Sequence, residues 1–423
     1  MSQYRAYPAY KDSGIEWIGQ VPEHWKVARV KRLASLRNER RNDVSTDTIY
    51  IGLEDVEAGS GQYKPTNGSS RQSEDSTVGI FYEGDVLYGK LRPYLRKAII
   101  SEMAGCCSTE FLVLRAEKTE PRWLQEWLLT PDVTHQIVSG CEGAKMPRAD
   151  WGHIGSIEVV YPDQPEQAKI LTSLDRETAR IDALIEKKTR FIELLNEKRQ
   201  ALITHAVTKG LDPNVKMKDS GIEWIGQVPE HWKVARVKRL ASLRNERRND
   251  VSTDTIYIGL EDVEAGSGQY KPTNGSSRQS EDSTVGIFYE GDVLYGKLRP
   301  YLRKAIISEM AGCCSTEFLV LRAEKTEPRW LQEWLLTPDV THQIESGCEG
   351  AKMPRADWGH IGSIEVVYPD QPEQAKILTS LDRETARIDA LMDKAKQSIT
   401  LLKERRAAFI TAAVTGQIDL RGK

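Results

Sequence analysis

The chain is poor in the residues that carry covalent and metal chemistry. Its 423 residues include six cysteines and seven histidines. The cysteines are Cys106, Cys107 and Cys141, then Cys313, Cys314 and Cys348. Adjacent cysteines do not fit a C-x-x-C ligand spacing, and an odd number in each half argues against a disulfide framework. They read as reduced, buried thiols. His24, His135 and His153, their later copies and His205 form no H-E-x-x-H or similar ligand pair, so no metal is assigned. A G-x-x-x-x-G-K-[ST] loop for nucleotide phosphates is missing, as are an Asn/Asp-Pro-Pro-Tyr/Phe tetrapeptide for a flipped base and a G-x-S-x-G elbow. Gly59-Ser60-Gly61 is a lone glycine pair in a loop. These absences point away from an enzyme and toward a chain that binds no cofactor of its own. No apolar run approaches the roughly 18 residues that span a membrane. The opening MSQYRAYPAYKD holds no apolar stretch of the secretion-signal kind. A cytoplasmic location without a membrane partner is therefore expected.

What is present is repetition. Lys11 to Leu184 recurs as Lys218 to Leu391 at an offset of 207 residues. Across these 174 positions one residue differs, Val138 against Glu345. Solenoid units run to roughly 20–50 residues, so this is a duplication on the scale of a domain. Two identical modules must have identical preferences. Hydrophobic residues make up 39% and charged residues 29%, enough for each half to bury a core. The net charge of −3 gives no global nucleic-acid signal, but bases cluster locally. Lys26–Arg41 carries seven bases against Glu39, and reads as an amphipathic helix with a basic outer face that would touch phosphates.

Each half divides into a mixed α/β head and a long helix. Short β-rich runs occur at Thr48–Ile51, Val86–Tyr88, Lys97–Ile100, Phe111–Arg115 and Ile157–Tyr161. Gly/Ser/Asn-rich stretches at Gly59–Gln62 and Asn67–Ser70 separate some of them. A helix should open at Pro121. Trp17, Trp25, Trp123, Trp127 and Trp151 read mostly as core. From Glu166 to Lys209 no proline or glycine interrupts a 3.5-residue register of Leu171, Leu174, Thr178, Ile181, Ile185, Lys188, Ile192, Leu195, Arg199, Leu202 and Ala206. The second copy, from Glu373 to Thr415, carries Leu378, Leu381, Thr385, Ile388, Met392, Ala395, Ile399, Leu402, Arg406, Phe409 and Ala413. A helix with a sticky stripe needs a partner, and the chain supplies one. The expected order is a head over 1–160, a spacer helix over 165–210, a second head over 217–367 and a C-terminal helix over 372–416.

Two segments per copy suit DNA. Gly84–Lys97, GDVLYGKLRPYLRK, returns at Gly291–Lys304. Its candidates are Lys90, Arg92, Tyr94, Arg96 and Lys97, with Lys297, Arg299, Tyr301, Arg303 and Lys304. Arginine can grip guanine edges or phosphates bidentately, while lysine is a point charge. The alternative is a solvated basic strand edge that discourages aggregation. Gly143–Trp151, GAKMPRADW, returns at Gly350–Trp358 and offers Lys145 and Arg148, with Lys352 and Arg355. A proline-stiffened loop presents such side chains at low entropic cost. The alternative there is an ordinary surface turn.

Taken together, these segments resemble the specificity subunit of Type I restriction–modification systems. The carriers are SGIEWIGQVPEHW at Ser13–Trp25 and Ser220–Trp232, the two basic segments, and the helices. Most specific are PEQAKILTSLDRETARIDALIEKK through EKRQALITHAVT at Pro165–Thr208, and their echo through ERRAAFITAAVTGQID at Pro372–Asp419. The resemblance implies an α+β fold of two target-recognition domains joined by two long antiparallel coiled-coil helices, with internal pseudo-twofold symmetry. It also implies double-stranded DNA, two modification subunits and restriction/translocase subunits as partners. S-adenosylmethionine, ATP and magnesium would then serve those partners. Family members usually carry two different recognition domains. Identical heads on antiparallel helices instead imply inverted half-sites, as symmetric dimers imply palindromes. Two rival readings are a self-sufficient DNA-modifying enzyme and a coiled-coil scaffold without nucleic acid.

Overall fold

The computed structural model describes residues 4–45, 47–66, 76–141, 145–252, 254–272, 283–348, 350 and 352–422. The loop expected at 67–70, and residues 143, 144 and 351 of the second basic segment and its copy, lie outside them. The chain divides into two compact units. Met1–Lys188 with Gln397–Lys423 form the first, and Thr189–Lys396 the second. Among the described residues no helix is long and apolar enough to cross a membrane, and no group of three or more metal-ligating side chains gathers.

In the first unit the head is built on the strand Val86–Gly89, whose four residues are all buried. Side chains alternate between faces of a strand. Val86 and Tyr88 therefore enter one core with Leu124, Trp127 and Leu128, while Leu87 enters another with Phe81, Ile99 and Cys107. Its neighbour Phe111–Ala116 divides in the same way, with Leu112 and Leu114 on one side and Phe111 and Val113 on the other. A four-stranded antiparallel sheet results, in the order Ala34–Leu36, Phe111–Ala116, Val86–Gly89, Ala98–Ile100. A second sheet of Arg40–Arg41, Val78–Phe81, Gly105–Cys107 and Tyr50–Ile51 closes the other core. Three helices cover the first: α1 (Pro121–Leu129), α2 (Pro131–Ser139) and α3 (Trp151–Ser156). Pro121 and Pro131 each open a helix, and the extended Thr130 before Pro131 ends α1. No disulfide joins any of the six cysteines; Cys106, Cys107 and their copies are buried, and burial pushes the Cys107 thiol up to about 12.

One expectation fails here. Lys26–Arg41 is not a helix. It forms the strand Lys26–Arg29, a single 3-10 turn at Val30–Arg32, and strands at Ala34–Leu36 and Arg40–Arg41. Val30, Leu33 and Ala34 are buried at helix-like spacing, which imitates an amphipathic pattern. Pairing with Glu158–Tyr161 and Phe111–Ala116, both remote in sequence, decides the conformation instead. Arg37 also turns away from solvent. It grips Asp85 at 2.8 and 3.2 Å and lies 4.6 Å over the Tyr82 ring, which holds its guanidinium above the usual range.

The long helix α4 spans Gln164–Lys209. In the second unit the head repeats with α5 (Pro328–Leu335), α6 (Pro338–Ser346) and α7 (Trp358–Ser363), followed by α8 (Gln371–Val414). Every position of both 3.5-residue registers is buried or half-buried. Within the first unit Leu171 and Leu174 pack with Phe409 and Ala413, and Asp182 pairs with Arg406 at 3.0 Å. Within the second, Leu195 meets Met392, Arg199 meets Asp389 at 3.4 Å, and Ala206 packs with Leu378. Numbers rise on one helix as they fall on the other, so the segments run antiparallel in each unit.

The heads are fastened to the helix starts. Trp25, fully buried, donates to Glu166 Oε1 at 3.2 Å, and His24 Nε2 lies 2.7 Å from Glu166 Oε2. Gln167 accepts from Thr119 Oγ1 and the Glu120 amide at 2.9 Å and donates to the Pro162 carbonyl at 3.0 Å. Thus IGQVPEHW packs on the helix end. Nearby, Glu126 is 2% exposed beside Arg122 at 2.5 Å, and burial holds its carboxyl above the ordinary glutamate range against the pull of Arg122. Glu333 repeats this in the second unit. The unfolded chain therefore ionises these groups first, and stability should fall as pH rises from about 4, the ordinary range, through the raised values. Glu126→Gln with Glu333→Gln should flatten that decline in urea midpoints measured from pH 4 to 7.

Candidate nucleic-acid interface

The two basic segments, 54 residues apart at Arg92 and Met146, meet in the fold. After Gly89 the central strand leaves its sheet. A side chain on Gly89 would meet Leu53 at 2.9 Å, so the exit needs glycine. The Lys90 amide then donates to the Glu110 carbonyl at 2.9 Å, and Leu91 forms an antiparallel bridge with Arg148. The Arg92 amide donates to the Pro147 carbonyl at 2.8 Å, and the Ala149 amide to the Lys90 carbonyl at 2.9 Å. Three chain segments are thereby tied together by backbone bonds. The second unit repeats the ties through Leu298, Arg355, Arg299, Pro354, Lys297 and Ala356.

Between Arg92 and Arg96 the chain makes one 3-10 turn, Pro93–Leu95. Pro93 is buried and presets the turn, and both flanking arginines are left-handed, with φ of 52° and 51°. Arg299 and Arg303 match at 53° and 47°. These four are the only non-glycine residues with positive φ among the described residues. Such strain costs about 1–3 kcal/mol per residue and persists where surrounding structure imposes it.

The candidate residues separate into two groups. Arg92, Tyr94, Lys145, Met146 and Arg148 are all exposed, on segments that the backbone ties bring together. Lys90 is half-buried, with its backbone in the ties just described. Arg96 and Lys97 turn toward the protein. Arg96 Nη1 donates to the Leu129 carbonyl at 3.4 Å, and Lys97 Nζ to the Leu53 carbonyl at 2.6 Å. Arg96 thus lines a cleft of about 680 Å³ with Lys64, Asp182 and Arg406. The second copy agrees: Arg299, Tyr301, Lys352 and Arg355 are exposed and Lys297 is half-buried. Arg303 reaches Leu336 and Gln200, and Lys304 the Leu260 carbonyl. Tyr88, in the same motif as Tyr94, is fully buried because strand alternation points it inward. Sequence reasoning missed Glu110, which receives Arg148 Nε at 3.2 Å and Nη2 at 3.4 Å. A carboxylate inside a strand-rich run gives no signal until the strand's neighbours are known. The residue that differs between the heads, Val138 or Glu345, lies on the outer side of α2 or α6, where Glu345 stands 4.0 Å from His342. Nothing in the structure gives this difference a role.

No protein-family model matches the chain. It is 21% identical over 346 residues to the Type I restriction enzyme EcoDI specificity subunit of Escherichia coli, covering 78% of this chain and 74% of that protein. The chain is thus similar to specificity subunits of Type I restriction–modification systems. The fold agrees. The HsdS subunit of Thermoanaerobacter tengcongensis superposes with a TM-score of 0.51 at 18% identity, over 95% of this chain and 98% of that one. A chain solved in a study of complex assembly and conformational transition of the type I R-M system gives 0.62 at 18% identity, over 95% and 99%. Two strand-rich heads with long paired helices are what this chain shares with them. Nothing in these likenesses supports a bare coiled-coil scaffold.

Because the Arg92 side chain is exposed, its left-handed backbone can be tested separately from its packing. Arg92→Gly with Arg299→Gly should leave stability unchanged or raise it by up to about 1 kcal/mol per copy, relief of strain offsetting the added freedom of the unfolded chain. The same change at Arg115, exposed within a regular strand, should cost about 0.5–1 kcal/mol. Urea unfolding of both variants checks the contrast.

Proposed function

We propose that this chain is the DNA-reading component of a Type I restriction–modification assembly. In this reading it directs adenine N6 methylation, and restriction where a nuclease partner is present, to a bipartite site in the cytoplasm. The observation that carries the reading is that the exposed Arg92, Tyr94, Lys145 and Arg148 stand on two segments tied together by backbone bonds, an arrangement repeated in the second unit. Exposed arginines and a lysine beside an exposed aromatic suit phosphates and base edges. Chemistry and its cofactors, S-adenosylmethionine, ATP and magnesium, belong to two modification subunits and to restriction/translocase subunits. The functional division follows the domain order read from sequence, with heads over 1–160 and 217–367 reading DNA and helices over 165–210 and 372–416 serving as spacers.

The target in this reading is an interrupted palindrome. Two heads alike at all but one of 174 positions have one preference. Carried on helices that run antiparallel, they meet inverted half-sites. Selection from randomised duplexes with the full-length chain should return an inverted repeat with a fixed gap. Two unrelated half-sites would overturn the palindrome. Arg92→Ala with Arg299→Ala should weaken binding to all sequences and lower the salt slope by about one for each phosphate no longer neutralised. Unchanged affinity and slope would remove this turn from the DNA face.

A further inference from the structure

We propose that Arg148 and Arg355 each read a guanine in their half-site, with Glu110 and Glu317 as the residues that position them. This inference rests on the DNA-reading assignment above and names the side chain that discriminates.

A guanidinium presents five N–H donors in a fixed plane. Arg148 spends one edge on its own protein, Nε and Nη2 meeting the two oxygens of Glu110 at 3.2 and 3.4 Å. Arg355 and Glu317 repeat the geometry at the same distances. The opposite edge, Nη1 with the second Nη2 hydrogen, has no partner among the described residues, and the Arg148 side chain is 55% exposed. Two parallel donors on one edge match the O6 and N7 acceptors of guanine in the major groove, a pairing that lysine cannot reproduce.

The placement of Glu110 argues against a phosphate role. A carboxylate within a basic face repels the DNA backbone and lowers general affinity. What it supplies is orientation. It stops a flexible side chain from sampling other rotamers, so less freedom is lost on binding. The backbones beneath both residues are fixed as well. Leu91 bridges Arg148, the Ala149 amide donates to Lys90, and the Lys90 amide donates to the Glu110 carbonyl. Both ends of the ion pair therefore stand on one hydrogen-bonded platform. Arg92, with no side-chain partner among the described residues, is the better phosphate ligand.

The test is selection from randomised duplexes with the full-length chain and its modification subunits, for the parent, Arg148→Lys with Arg355→Lys, and Glu110→Gln with Glu317→Gln. The parent should select a guanine at one symmetric position per half-site. The lysine variant should lose that preference by about tenfold or more and keep the rest of the motif. The glutamine variant should relax the same position while its affinity for non-specific DNA stays level or rises, since a negative charge has left the face. A purely structural role for Glu110 would weaken all sequences alike, and that result overturns the proposal. So does a motif unchanged in both variants. A parent that selects no sequence overturns the DNA-reading assignment along with it.

Discussion

Each head is oriented by the first turn of the helix that follows it. Glu166 and Gln167 stand side by side there, and between them they take up groups from three parts of the head. Gln167 is fully buried with its amide satisfied on both ends. A buried amide left unsatisfied costs about 1–3 kcal/mol, so the head has few alternative seats on the helix. Glu373 and Gln374 repeat the joint. The first joint is tied further: Tyr7 adds a 3.1 Å bond to Glu166, and the burial around it raises the phenol's pKa. Arg421 lies over the Tyr7 ring at 4.7 Å. The sequence around the second joint carries no counterpart of Tyr7, and Glu373 is correspondingly more exposed than Glu166.

The helical seam depends on its polar interruptions as much as on its leucines. Thr178 and Thr385 return their hydroxyls to the carbonyls of Leu174 and Leu381 within their own helices. Arg199 and Arg406, which interrupt the apolar register, find Asp389 and Asp182 on the opposing helical segment. Polar residues at seam positions fix register where an all-apolar stripe would slide. The same head therefore meets helix surfaces that match in type and differ in detail, and Arg303 gains a bond to Gln200 that Arg96 does not have.

Much of the fold was legible. β-rich composition marked Val86–Tyr88 and Phe111–Arg115, and a 3.5-residue register free of proline and glycine marked both long helices to within two residues of their bounds. Lys26–Arg41 misled because its apolar spacing fits a helix while its partners are strands more than 70 residues away. The candidate interface was half legible. Its basic motifs stood out by charge. That Arg96 and Lys97 point back to carbonyls, that Tyr88 is core, and that Glu110 grips Arg148 depend on neighbours no local pattern names.

By itself the sequence determined that the molecule has two equivalent heads and two related helices, because a copy of 174 positions must fold alike and a largely apolar 3.5-residue register must find a partner. Tertiary structure alone decided which cations face outward. Strand direction, a left-handed turn and backbone bonds between distant segments set where each side chain emerges. Those constraints act across the chain, not along it, so residues as similar on paper as Arg92 and Arg96 end on opposite sides of the same turn, one exposed and one bonded to the Leu129 carbonyl.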